Sequence, residues 1–199
     1  KQRYFEEEIS NEVNLSYSDN QVTVTTDYLT LVYTLNSEGY ASQCVYSLSS
    51  QNRIYQFSYS AEGYLTGIVE NIDDTEYSST SLTYENGDIT SISSKMNGLE
   101  NKFIYEPGEE SSTYHLPCLG LLEIHPLTFH IEALYAGLLG KDPRHFTMHS
   151  CPAGSNDEKT VYSYGFDKKG NPSRMICQTT YAGGQASYYP YTRNISISF

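Results

Sequence analysis

The residues able to do acid–base, nucleophilic or metal chemistry crowd into one stretch of this chain. All five histidines, His115, His125, His130, His145 and His149, lie there beside Cys118 and Cys151. The pairs His115-x-x-Cys118 and His149-x-Cys151 offer imidazole and thiolate, the donors zinc prefers, if folding brings them together. Their spacing matches no zinc framework, and His125 and His130, five residues apart, cannot share a helix face. Cys151 with His149 or His115 is the one pair with the types needed for nucleophilic catalysis. There is no Gly-x-Ser-x-Gly elbow and no glycine-rich strand-to-helix loop for phosphate. The acids cluster as Glu6 to Glu8, Asp73-Asp74 with Glu76, Glu106 with Glu109-Glu110, and Asp157-Glu158. None alternates as calcium ligands do, and a solvated carboxylate is a poor general acid. The histidines therefore read as loop residues with local hydrogen bonds. No catalytic, metal or cofactor residue is expected, and the chain is not expected to be an enzyme.

Cys44, Cys118, Cys151 and Cys177 allow three disulfide pairings. A Cys118–Cys151 bond would staple the irregular stretch between them. Four buried thiols acting as small apolar residues is the other reading.

Those residues must be held by something, and the rest of the chain says what. Of 199 residues 38% are hydrophobic and only 18% charged, with 20 Tyr, 7 Phe and no Trp. Tyrosine suits a pleated surface that buries the ring and wets the hydroxyl. The net charge of −12 repels a phosphate backbone, so nucleic acid and anionic membrane surfaces are poor partners. The most apolar run, 116–139, is interrupted by Pro117, Gly120, Glu123, Pro126 and Glu132 and predicts no membrane span. The first residue is Lys1 rather than Met, which fits removal of an upstream segment.

Large side chains alternate with a period of two: Leu29, Leu31, Tyr33, Leu35; Tyr55, Phe57, Tyr59; Leu82, Tyr84; Phe103, Tyr105; Tyr162, Tyr164, Phe166. Such alternation is the mark of half-buried strands. Two punctuation patterns follow the strands. One is a large residue, three others, then glycine, ending at Gly39, Gly63 and Gly170. The other is tyrosine, two others, then Asn20, Gly87 or Gly108. Both put a residue tolerant of positive φ just before the return strand, as short hairpin loops require. Ten to twelve strands are expected, paired side by side. The fold class is mainly β: a large curved antiparallel meander of tyrosine/glycine hairpins, open or partly closed into a barrel, with one helix packed on it. Residues 1–199 form a single β-domain, and 111–159 a helix-bearing insertion within it. The helix is predicted over 126–139, with Pro126 in its first turn, Leu127, Ile131, Leu134 and Leu138 on its buried face, and Gly140 at its C-cap.

Units such as 59–66, Tyr-Ser-Ala-Glu-Gly-Tyr-Leu-Thr, loosely resemble the YD repeats of Rhs-type toxins and teneurins. A narrower resemblance rests on two segments, 135–141 (Tyr-Ala-Gly-Leu-Leu-Gly-Lys) and 161–175, which includes Tyr-Ser-Tyr-Gly-Phe-Asp-Lys-Lys-Gly-Asn-Pro. These are similar to an uncharacterised family of secreted Bacteroidetes proteins described as having a porin-like fold. The resemblance implies a curved antiparallel sheet and export through a signal peptide, often as a lipoprotein anchored upstream of this chain. It implies no activity, and "porin-like" does not imply a channel, because Ser and Thr often alternate with the large residues where a membrane barrel needs an apolar band. The expected function is that of a non-catalytic, extracytoplasmic cell-envelope module that binds a ligand or envelope protein through its sheet. The alternatives are a structural or assembly protein with a pairing sheet edge, and a His/Cys-dependent hydrolase.

Overall fold

A computed structural model describes residues 13–26, 29–48, 51–111, 124–155, 158–166, 168, 172–181 and 191–194. Among the described residues thirteen strands form one antiparallel sheet in sequence order. They are β1 (Asn14–Ser18), β2 (Gln21–Thr25), β3 (Thr30–Leu35), β4 (Ala41–Leu48), β5 (Gln51–Tyr59), β6 (Leu65–Ile72), β7 (Thr75–Glu85), β8 (Asp88–Met96), β9 (Leu99–Ser111), β10 (His145–Pro152), β11 (Glu158–Phe166), β12 (Pro172–Tyr181) and β13 (Tyr191–Asn194). The meander does not close: β1 and β13 stand at opposite ends of the order.

The period-two alternation does what it predicts. Cross-strand partners run in register as Val22, Tyr33, Cys44, Tyr55, Glu70 and Ser78, from β2 to β7. All six are buried, so they line one inner face. Because the pleat sends alternate side chains to opposite sides, this row marks the inner face of the whole meander.

At one end of the sheet the hairpins repeat. The register slips by one residue between Thr34 and Leu35, between Ser58 and Tyr59, and between Thr83 and Tyr84, always just before the turn. A bulge placed there adds local twist and lets a short loop reverse the chain. The first two turns share their internal bonding. Asn36 Oδ1 accepts from Glu38 N and Tyr40 N, and Ser60 Oγ accepts from Glu62 N and Tyr64 N, each with spacing i+2 and i+4.

One expected hairpin is absent. Tyr105 to Gly108 lies inside β9, which continues to Ser111 and pairs with β10 through two register shifts. The glycine there answers to packing: a Cβ on Gly108 would collide with the Met148 side chain.

The helix is also shorter than its periodicity predicts. A 3-10 turn at Leu127–Phe129 and a single α-turn at Ile131–Tyr135 (α1) replace one helix over 126–139. His130 interrupts them with φ −121°, and Gly137 and Gly140 take positive φ. The apolar face still goes where the spacing sends it: Leu127, Leu134 and Leu138 are buried in the core and Ile131 packs against it. Each fully buried leucine contributes about 1.5–3 kcal/mol. Among the described residues, the segment between β9 and β10 that lies outside the sheet is 124–144. Strand β10, inside the expected insertion 111–159, belongs to the meander.

The described connection 124–144 forms a strap over the sheet, and after α1 it crosses the repeated hairpins. Leu138 O accepts from Ala41 N (2.7 Å), Lys141 N donates to Gly63 O (2.9 Å), and Arg144 N donates to Gly87 O (3.0 Å). The contacts step by three residues along the strap and by one hairpin along the sheet. The hairpins themselves repeat every two strand spacings, about 9.5 Å. The strap thus keeps pace with the sheet's own repeat.

Candidate functional site

Two places gather chemistry-bearing side chains, one on each face. The inner one is built around Glu70, a carboxylate at a core-facing position of β6 and 0% exposed. Its Oε1 accepts from Arg53 Nη1 (3.0 Å) and Tyr55 OH (3.2 Å), and its Oε2 accepts from Ser78 Oγ (2.8 Å) and His125 Nε2 (2.6 Å). Burial alone would push the carboxyl pKa up, but the bonds from His125, Ser78 and Tyr55 outweigh it and hold it below its ordinary value. The His125 carbonyl accepts from Thr80 Oγ1 (3.1 Å) and Ser94 Oγ (3.4 Å). Strands β5 to β8 therefore clasp the start of the strap from both sides of one residue.

His130 fills the inner face next to this clasp. It is 0% exposed, pairs through Nδ1 with Tyr33 OH (2.8 Å), and sets its ring edge-on to Tyr55 (4.4 Å, 87°) and to Phe57 (5.3 Å, 80°). Burial drives its pKa down to about 3, so it is a neutral core residue. Cys44, in the same row, is a buried thiol whose pKa burial pushes up to about 12. Such a thiol is inert at neutral pH. The expectation of loop histidines with local hydrogen bonds is thus corrected for three of the five. His125 and His130 bind the inner face, and His145 bonds Asp88 through both its backbone N and its Nδ1, each at 2.8 Å. Each bond spans 55 or more residues of sequence, and the strap makes them because it must bury its polar groups with partners.

The outer place is a cleft of about 160 Å³ on β9, β10 and the start of β11, lined by Ile104, Glu106, His149, Cys151, Glu158 and Lys159 among others. Register explains the company. His149 and Cys151 alternate along β10 and so share a face, opposite the one on which buried Ser150 bonds Tyr162 OH (2.9 Å). Across the ladder Glu106 faces His149 and Ile104 faces Cys151. Lys159 reaches from β11 to within 3.8 Å of Glu106, both side chains exposed. Cys151 is a half-buried free thiol, and His149 Nδ1 is enclosed with no hydrogen-bond partner among the described residues.

The Cys151–His149 pair named from sequence therefore shares one face of β10 without a hydrogen bond to His149 Nδ1, His115 and Cys118 lie outside the described residues, and the free Cys151 thiol counts against the expected Cys118–Cys151 bond. The side chain of Cys177 is outside them too. Among the described residues no three His, Cys, Asp or Glu converge to hold a metal ion. The inner clasp escaped sequence reasoning. Its signal was a charged residue, Glu70, at an inward position of a strand otherwise apolar on that face at Leu65 and Ile68.

The family model for a domain of unknown function (DUF4595) with porin-like fold matches residues 2–174. The chain belongs to this family. No curated protein matches it. Among solved structures, a porin-like protein from Bacteroides uniformis ATCC 8492 is similar, at 28% identity and a TM-score of 0.82, over 94% of this chain and 77% of that one. The family's porin-like description fits the open antiparallel meander seen here. No helix among the described residues is long and apolar enough to cross a membrane.

Proposed function

We propose that the protein is a non-catalytic, extracytoplasmic binding module of the cell envelope, in which sheet and strap form a rigid scaffold and the outer cleft on β9–β11 receives a small polar ligand. The observation that carries this reading is a contrast between faces. The inner face is occupied by the strap, and its carboxylate is taken up by four side chains. The outer cleft keeps open volume between the side chains of Glu106, His149, Glu158 and Lys159. Open volume with convergent polar groups is the usual form of a small-molecule site. The envelope location is supported by the likeness to the Bacteroides porin-like protein.

A thermal-shift screen of amino acids, small peptides and thiols tests the reading, because a ligand that binds only the folded state raises Tm. Ile104→Trp fills the cleft from an outward position and must abolish the shift. Ligands that still raise Tm in Ile104→Trp would move the binding site elsewhere.

A second reading, assembly through a sheet edge, has its own observation. Strand β1 is exposed along all five residues, with Tyr17 at 65%, and carries neither charge nor proline. Edge strands are commonly protected by such residues. Concentration-dependent sedimentation abolished by Ser16→Pro would favour assembly.

A further inference from the structure

We propose that β1 is a dimerisation edge, at which a second copy of this chain pairs its own β1 antiparallel about a two-fold axis through Ser16. This rests on the assembly reading and gives it a partner and a register. Leu15 and Tyr17 stand across from Val24 and Val22 and so share the inner face with them. The two valines are 0% exposed, whereas Tyr17 is 65% and Leu15 36% exposed. The core row therefore runs out to the edge strand and ends there uncovered. Among the described residues no strand pairs with the other edge of β1.

The hydrogen-bond phase of the neighbouring ladder shows what that edge offers. Leu35 N donates to Asn20 O and Thr26 N donates to Leu29 O, so Val22 and Val24, in phase with them, bond β3. Bonding alternates along a strand, which leaves Gln21, Thr23 and Thr25 to bond Ser18, Ser16 and Asn14. The N–H and C=O groups of Leu15 and Tyr17 then point away from the sheet. A two-fold axis at Ser16 sets Leu15 of each chain opposite Tyr17 of the other, and every N–H of these residues meets a C=O. A shift of two residues either way leaves half of those groups unpaired within the strand. The same register sets an aromatic ring against an aliphatic side chain twice on the inner face, a favourable cross-strand pair. Charge permits the contact. The chain carries −12, but β1 has no charged residue. Asp19 of one copy stands six residues from Asp19 of the other, about 20 Å, well beyond the Debye length of about 8 Å at physiological salt. Two five-residue strands make a small contact, so the dimer is weak and reversible.

The test is sedimentation of the full chain together with site-directed cross-linking. Ser16→Cys brings two thiols together in a non-hydrogen-bonded pair, with Cα atoms about 4.5 Å apart, inside the range a disulfide spans. Under mild oxidation it gives covalent dimer. Ser18→Cys, whose positions stand about 14 Å apart along the pair, does not, and neither does the parent with its four native cysteines. Leu15→Lys and Tyr17→Glu each sediment as monomer, because each sets an unpaired charge in the contact. Mixed together they dimerise again, since the new ammonium of one chain stands opposite the new carboxylate of the other. If Ser18→Cys cross-links as fast as Ser16→Cys, or mixing gives no rescue while the parent still self-associates, this register is overturned and assembly uses another edge. A parent that stays monomeric at high micromolar concentration, with Ser16→Cys uncross-linked, overturns the dimer and the assembly reading together; that is the result expected if a segment of the same chain covers β1.

Discussion

Replacing Glu70 by glutamine tests whether the inner clasp holds the strap to the sheet. Four donors converge on two carboxylate oxygens, two on each. Glutamine keeps the shape but turns one oxygen into an NH2 group, so two donors must face a donor. A hydrogen bond to a charged group contributes about 1.5–3 kcal/mol, and two lost bonds give about 3–6. The Tyr55 and Ser78 hydroxyls can rotate to accept from the new amide, which brings the expected loss to about 2–4 kcal/mol. In urea this lowers the midpoint by about 1–2 M at an m of about 2 kcal/mol/M, with m unchanged. The pH dependence gives an independent check. The folded carboxyl titrates below its ordinary value, so its stabilisation is fully present above about pH 4.3 and lost as pH falls through the folded pKa. Glu70→Gln must remove that acid limb. A variant within about 0.5 kcal/mol of the parent, with the acid limb intact, would mean that desolvation of the charges cancels their attraction and that the clasp adds no stability.

The strap gives a paired test at two glycines. Gly140 has φ +89°, and a Cβ there would sit 2.7 Å from Gly63 O and 3.0 Å from the Tyr59 ring, whereas Gly39 (φ +85°) has nothing within 4 Å. Gly39→Ala should cost about 1–2 kcal/mol for the backbone alone, and Gly140→Ala clearly more; equal losses in chemical denaturation would mean the strap–rim approach is not tight. Leu134→Asp puts a charge where the side chain is 8% exposed and should cost several kcal/mol; a parental melting curve would show an exposed face. His130→Phe addresses a histidine whose folded pKa, about 3, lies below the unfolded value near 6.5. The unfolded chain binds the extra proton between those values, so parental stability falls as pH drops across that window. The variant should lose that slope while giving up about 1 kcal/mol at neutral pH for the orphaned Tyr33 hydroxyl; calorimetry from pH 7 to 3.5 with parallel slopes would contradict a neutral buried imidazole.

The alternating aromatics and the glycine hairpins determined the antiparallel meander by themselves, because strand pleat and turn geometry are local properties written in neighbouring residues. The same locality made His149 and Cys151 readable as a pair, two apart on one strand. It misled at Gly108, where glycine clears a path for Met148, and at 126–139, where helical spacing was outvoted by His130 turning inward to Tyr33. Only the tertiary structure could assign the histidines, since their partners Tyr33, Glu70 and Asp88 lie 97, 55 and 57 residues away. Such bonds depend on which strand stands opposite the strap, and that is set by the register of the whole sheet. The spacing that makes the strap fit, three residues to each hairpin, exists only once thirteen strands have paired in order.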